Sequence, residues 1–449
     1  MSTNFKDLCI ELALSVDSNE GRERNRSDEV KAKLLSGVTH LIGQLWKGVQ
    51  IYDDYEAPVS LKTERYSSRY APPGQSYRQT RAAYEGLKKL GLIHETNKGW
   101  FSPETLQGEI TLYVATDELL ARLTHLKEDP FKTAGPNLDA ETIILRDKVD
   151  GRRQQIEYDD TLLPDVHVMR GNLRKINSCL SRHWADLRIT NDDYANLQRR
   201  LLKDDVKQPI DFSKWALVRI FSNGSFEQGG RFYRGWWENV PSELRRFITL
   251  DGKRTSEFDY SQLNPHMVYY LAGRQLGEED AYDRVFNGEH RALVKQAFNA
   301  MMQASTLLQT APRELDLSEV EMDWRTLRSA ILRAHSSIED EFFKGKGNHL
   351  QYVDSCIAEE VMLHFGKMDY AVLPVHDSFI MHYAFGDMGE LEEAMRRAFY
   401  NKFGEDIPVK GEIGKEAPSS FDDREFEDLS VEEIVEGPPE YTQWTKRNR

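Results

Sequence analysis

Residues 257–265, E-F-D-Y-S-Q-L-N-P, constrain this chain more than any other stretch. Phe258, Tyr260 and Leu263 supply the apolar contacts of a strand and its exit, and Asp259 interrupts that series with a carboxylate. Such an acid is either a solvated turn residue or a group kept for its charge. The downstream sequence favours the second reading. Arg291 and Lys295, in R-A-L-V-K, place two cations one helical turn apart. Residues 371–380, A-V-L-P-V-H-D-S-F-I, set a second acid, Asp377, between apolar segments that read as a hairpin.

The composition bounds what such a constellation can belong to. At 449 residues, with 39% hydrophobic and 30% charged positions, the chain is long enough for two to four folded domains. Cys9, Cys179 and Cys356 lie far apart in sequence and suggest neither a disulfide framework nor a metal cluster, which fits a reducing cytoplasm. No apolar run reaches the length of a membrane span, and no cationic then apolar leader opens the sequence. The net charge of -15 argues against a protein that coats nucleic acid, but it hides an asymmetry. Residues 61–100 carry a net +5 and residues 421–440 a net -8, so any nucleic-acid groove is local.

The order of acid, cationic helix and acid in a hairpin resembles the single-subunit polymerase superfamily, which holds the family A DNA polymerases and the phage-type RNA polymerases. The likeness spans roughly residues 223–382. It implies an α+β, right-hand palm-and-fingers core preceded by a mostly helical region. It also implies that Asp259 and Asp377 bind two Mg2+ ions, with Mn2+ as a substitute, because hard cations prefer carboxylate, phosphate and water oxygens. Arg291 and Lys295 would face the triphosphate, Gln303 would extend that helix face, and His376 would touch the primer end or orient Asp377. Relatives place a tyrosine and a glycine where this chain has Gln303 and Ala304, which leaves base selection open. The segment holding Gly230-Arg231 and Asn239-Val240-Pro241 resembles the template-primer-binding segment, so Arg231 is assigned to the duplex backbone. Its aromatic neighbours Phe232, Tyr233, Trp236 and Trp237 could support a base or pack as core. Gln351 or Asp354, on a helix just before the hairpin, could reach the nascent duplex.

Four regions follow. Residues 1–128 read as helical with a winged-helix-like domain, in which Ser76 caps a helix bearing Ala82, Ala83, Leu87 and Leu90, followed by two short strands. Leu8, Ile10, Leu12 and Leu14 are its first apolar positions. Residues 129–210 read as a thumb-like or connecting domain, with Leu173, Ile176, Leu180, Trp184 and Leu187 at helical spacing. Residues 211–420 read as palm with reduced fingers, and 421–449 as an acidic flexible tail.

The first motif, D-Y-S-Q-L, looks like the DNA-polymerising branch, but Asn264 stands where that branch has a glutamate that blocks the ribose 2′-hydroxyl. The second, H-D-S-F, looks like the RNA-polymerising branch. Together they favour a template-dependent polymerase making RNA primers from nucleoside triphosphates on DNA, with or without a primer strand and with replication proteins as further partners. A reduced family A DNA polymerase, a template-independent nucleotidyl transferase and a noncatalytic winged-helix replication protein stand as alternatives. No membrane partner is expected, and a bacterial or phage-infected cytoplasm is the expected location.

Overall fold

A computed structural model describes residues 4–21, 24–50, 55–102, 107–128, 130, 138–202, 208–317, 320 and 322–413. The acidic stretch at 421–449 lies outside them. The chain forms two compact units, Met1–Glu141 with Asn191–Trp215, and Thr142–Thr190 with Ala216–Arg449. Residues 129–210 therefore contribute to both.

In the first unit, helices Phe5–Asn19, Asp28–Val49 and Tyr77–Lys89 enclose a core that includes Leu12, Leu41, Trp46, Tyr84 and Leu87. Spacings of three and four put Phe5, Leu8, Cys9, Leu12 and Val16 on the inner face of the first helix. Ile10 and Leu14, expected among the apolar positions, face solvent at 36% and 59% exposure, because steps of two cannot hold one helical face. Ser76 accepts a hydrogen bond from the Gln79 backbone N–H and caps Tyr77–Lys89, and Gly91 follows that helix at φ +72°. Strands Ala57–Val59, Thr111–Ala115 and Ile93–Asn97 form an antiparallel sheet in that order. A separate hairpin pairs Trp100–Ser102 with Gln107–Glu109. Lys88 lies 3.5 Å from Glu95 and 3.9 Å from Glu85, and Lys89 donates to the Asn19 carbonyl, so both cations have protein partners.

The second unit is α+β with two sheets. The smaller runs in the order Ser225–Tyr233, Val218–Ser222, Ile143–Val149, Arg152–Gln155, and only the middle pair is parallel. In the larger sheet, Lys253–Tyr260 lies between the strands Ser378–His382 and Val409–Ile413, both antiparallel to it. Leu373–Val375 extends that sheet beyond Ser378–His382, while Ile248–Leu250 and Ala185–Leu187 extend it the other way. Helices of this unit include Gly347–Gly366, Pro164–Leu180, Glu390–Phe403, Leu263–Leu271, Arg291–Gln303 and Trp324–Ala334. The helical spacing read through Leu187 breaks early: Pro164–Leu180 ends before Trp184, and Leu187 belongs to a strand. The Asp251 carboxylate accepts the Trp184 backbone N–H at 2.9 Å, a partner that a helix would have supplied internally.

The central strand packs tightly on its apolar side. Phe258 is cross-strand partner to Gly411, and a Cβ at Gly411 would come within 2.4 Å of the phenyl ring. Gly411→Ala should lower unfolding free energy by about 1–3 kcal/mol in a denaturant titration, the usual cost of forcing extra volume into a packed core. Unchanged stability would mean that the ring can move aside.

Candidate active site

Strand alternation decides where the first acid points. Phe258 and Tyr260 are buried on one side, and the Tyr260 hydroxyl donates to the Met395 carbonyl at 2.6 Å. Glu257 and Asp259 therefore share the opposite face. Val375 pairs with Ser378, which leaves His376 and Asp377 as the two-residue turn, with His376 at φ +59°. Asp259 is itself the cross-strand partner of Ser378. The register thus sets Asp377 one residue from the position opposite Asp259, and both line a groove of about 880 Å³ with Glu257, His376 and Lys410. The Ser378 hydroxyl donates to Glu257 at 2.7 Å, and Arg245 pairs with the same carboxylate at 2.9 Å.

Two like charges at close quarters raise the cost of ionising both. The Asp259 carboxyl is raised to about 7, first because the groove strips water from it and then because Asp377 adds negative charge, while Lys295 pulls it down. Although its side chain meets solvent, it does so at the floor of a concave surface.

The residues of the cationic helix, Arg291–Gln303, have different partners. Lys295, Asn299 and Gln303 recur at intervals of four and share a face. The field of Lys295 reaches Asp259, and Asn264 donates to Asn299 at 3.0 Å, so this face adjoins the end of the strand that carries Asp259. Gln303 lies at the far end, 3.4 Å from Asn348. Arg291 instead pairs with Asp280 at 2.6 Å and Asp283 at 3.5 Å, with its guanidinium over the Tyr282 ring. In this structure Lys295, not Arg291, is the cation associated with the carboxylates.

Arg231 also has a protein partner. Gly229 and Gly230, at φ +76° and +78°, form a bulge in which Gly229 pairs with Phe221 and Arg231 with Ile220. The bulge swings Arg231 toward helix Gly347–Gly366, where Asp354 accepts its Nε–H at 2.6 Å. Asp354, which could have reached a duplex, is 1% exposed and does not extend to the surface. Burial raises its carboxyl to about 7 even though Arg231 lowers it, and Asp377 adds to the rise. Gln351, half-buried, lies one turn earlier on the same helix. Trp236 and Trp237 are core residues, the latter donating to the Pro374 carbonyl at 2.9 Å. Sequence reading missed Glu257, Asn299 and the buried Arg219, which binds the Gly230 carbonyl, Ser355 and Glu359. The paired glycines signal the bulge, but nothing local signals a partner 123 residues away.

Among the described residues, one group of three His, Cys, Asp or Glu brings its ligand atoms within 4.8 Å of one another: Cys179, His183 and Asp369. It contains neither Asp259 nor Asp377, which form a pair and not a carboxylate triad.

No family profile and no curated protein sequence matches the chain. A solved structure that matches is the polymerase domain of Pol1 from M. smegmatis in complex with DNA primer-template and dNTP, at 13% identity and a TM-score of 0.32. That match covers 49% of this chain and 50% of that one, about half the length of each.

Removing one partner of a buried pair leaves the other uncompensated. Arg231→Ala should destabilise the fold increasingly as pH rises past about 7, where the parent's Asp354 ionises beside the guanidinium. Because the variant loses the cation that lowers Asp354, the deficit should shrink as acid protonates that carboxyl; a deficit independent of pH would contradict the pairing. For Asp259 the sign is opposite to that of a salt-bridged acid. Its ionisation penalty is absent below the unfolded value of about 3.9 and complete once pH has risen past the raised folded value. In metal-free buffer, Asp259→Asn should therefore melt higher than the parent at about pH 8, with the gain fading toward about pH 4. Equal melting temperatures throughout would remove the basis for a strained carboxylate pair.

Proposed function

We propose that this chain is a template-dependent nucleotidyltransferase using two divalent metal ions, and that it is a DNA-directed RNA polymerase making primers. The observation that carries the reading is the register that sets Asp377 beside the cross-strand partner of Asp259, with Lys295 in the field of Asp259. The raised Asp259 carboxyl supports it, since a crowded pair of acids is relieved by a divalent cation. The donors are hard carboxylate oxygens and fit Mg2+ or Mn2+. When bound, the ions would lower the barrier to attack by a 3′-hydroxyl on the α-phosphate and offset charge on the departing pyrophosphate.

The chain's own residues hold and orient. Asp259 and Asp377 hold the cations, and Lys295 meets the triphosphate. Arg291 joins it by exchanging Asp280 for phosphate, while Gln303 lies farther along the helix. His376, exposed at the turn beside Asp377, orients that acid or the primer end. Gln351 faces the duplex, and Arg231 would have to exchange its buried partner Asp354 for phosphate to join it. Asn264 is shorter than glutamate and is held by Asn299, which supports admission of a ribose 2′-hydroxyl. In the first unit, helix Tyr77–Lys89 with its three-stranded sheet and hairpin supports a winged helix that contacts DNA. The engaged Lys88 and Lys89 would have to exchange partners to do so.

The assay supplies single-stranded DNA, Mg2+ and labelled ribo- or deoxynucleoside triphosphates in separate reactions, with and without a primer. We expect template-dependent RNA that falls by about a hundredfold or more in Asp377→Ala. Extension with deoxynucleotides alone would replace the RNA reading with that of a DNA polymerase, which the D-Y-S-Q-L motif favours. Synthesis undiminished in Asp377→Ala would overturn the site.

A further inference from the structure

Cys179, His183 and Asp369 are not used by the proposed chemistry. Cys179 is the penultimate residue of helix Pro164–Leu180, and the bonds from Arg182 N to Cys179 O and His183 N to Leu180 O continue the coil by a turn. His183 thereby returns to the side of Cys179. The turn after helix Gly347–Gly366 contributes Asp369, at φ +61°. Metal–ligand bonds of about 2.0–2.3 Å in a tetrahedral zinc site require ligand atoms roughly 3.3–3.8 Å apart. His183 Nε2 and Asp369 Oδ1 are 3.8 Å apart, and the thiol completes a group within 4.8 Å.

The surroundings match what such ligands need. His183 Nδ1 lies 2.6 Å from Asp251 Oδ2, the carboxylate support that metal-bound imidazoles usually carry. Arg182 donates to Asp369 Oδ1 through Nε at 2.8 Å and a terminal nitrogen at 2.6 Å, which orients that carboxylate. The thiol is buried and Asp369 is open to solvent, so the site has a dry inner side and a wet mouth.

We propose that Cys179, His183 and Asp369 bind a zinc-class divalent ion, with water in the fourth position and Asp251 and Arg182 as outer partners. Binding releases the thiol proton and the Nε2 proton, the latter otherwise shared with the Asp369 carbonyl at 2.8 Å. The thiolate selects against the hard ions assigned to Asp259 and Asp377. The ion would tie two helix ends to the Asp251-Gly252 turn, from which the strand carrying Asp259 departs. It would brace that strand and take no part in nucleotidyl transfer. The inference stands whether or not the chain is a polymerase.

The test titrates Co2+ into the full chain, freed of metal by a chelator under reducing conditions, and reads thiolate-to-cobalt charge transfer and the visible bands of tetrahedral cobalt. One equivalent should saturate both, and Zn2+ should bleach them. Cys179→Ser, with folding checked by circular dichroism, should lose the charge-transfer band. Asp251→Asn should weaken binding by about tenfold or more. Cys9→Ala/Cys356→Ser should keep the full spectrum. A folded parent without the band, or a band that survives Cys179→Ser or vanishes in the double variant, would overturn the site and leave an imidazolium clamp held by Asp251.

Discussion

The antiparallel pairing of Lys253–Tyr260 with Ser378–His382 is the contact on which the rest of the second unit depends. It joins segments more than a hundred residues apart, and a slip of one residue would turn Asp259 into the core and Phe258 into the groove. Several contacts hold the register. Phe258 fits over Gly411, the Tyr260 hydroxyl reaches the Met395 carbonyl, and Ser378 bonds Glu257 across the pair. The apolar face thus fixes where the charged face points. Two acids brought together in this way carry an electrostatic penalty that Lys295 offsets only in part.

The charged groups around that pair are mostly occupied. Arg231 is held by Asp354, Arg291 by Asp280 and Arg245 by Glu257, while Lys295 reaches Asp259 through its field alone. Under the proposed function, phosphates would compete with Glu257 for Arg245, the one of these three that lines the groove. Buried Arg219 differs: its bonds to Gly230, Ser355 and Glu359 join the bulged strand to helix Gly347–Gly366, and it has a structural task.

The sequence made local features legible. Alternation around Asp259, the two-residue turn at His376-Asp377 and the face shared by Lys295 and Gln303 follow from periods of two and 3.6. The Ser76 cap and the helix before the hairpin were legible for the same reason. Partnerships between distant segments were not. Asp354 reads as an exposed helical acid until the bulge at Gly229-Gly230 aims Arg231 at it. The apolar spacing from Leu173 to Leu187 ran through a helix end whose replacement bonds come from Asp251, in a turn over sixty residues later. The grouping of Cys179, His183 and Asp369 was not legible from the scattered cysteines, because two of its members are a histidine and an aspartate, one supplied by a remote turn.

The proposed cation site joins Asp259 and Asp377. Its most direct test is Mn2+ binding, followed by electron paramagnetic resonance, in the parent, Asp259→Asn, Asp377→Asn and the double variant, each with primed DNA and a nonhydrolysable nucleotide. If the carboxylates share the ions, each single substitution should abolish nearly as much binding as the double, a strongly non-additive cycle. Additive losses, or Mn2+ affinity unchanged in the double variant, would contradict it.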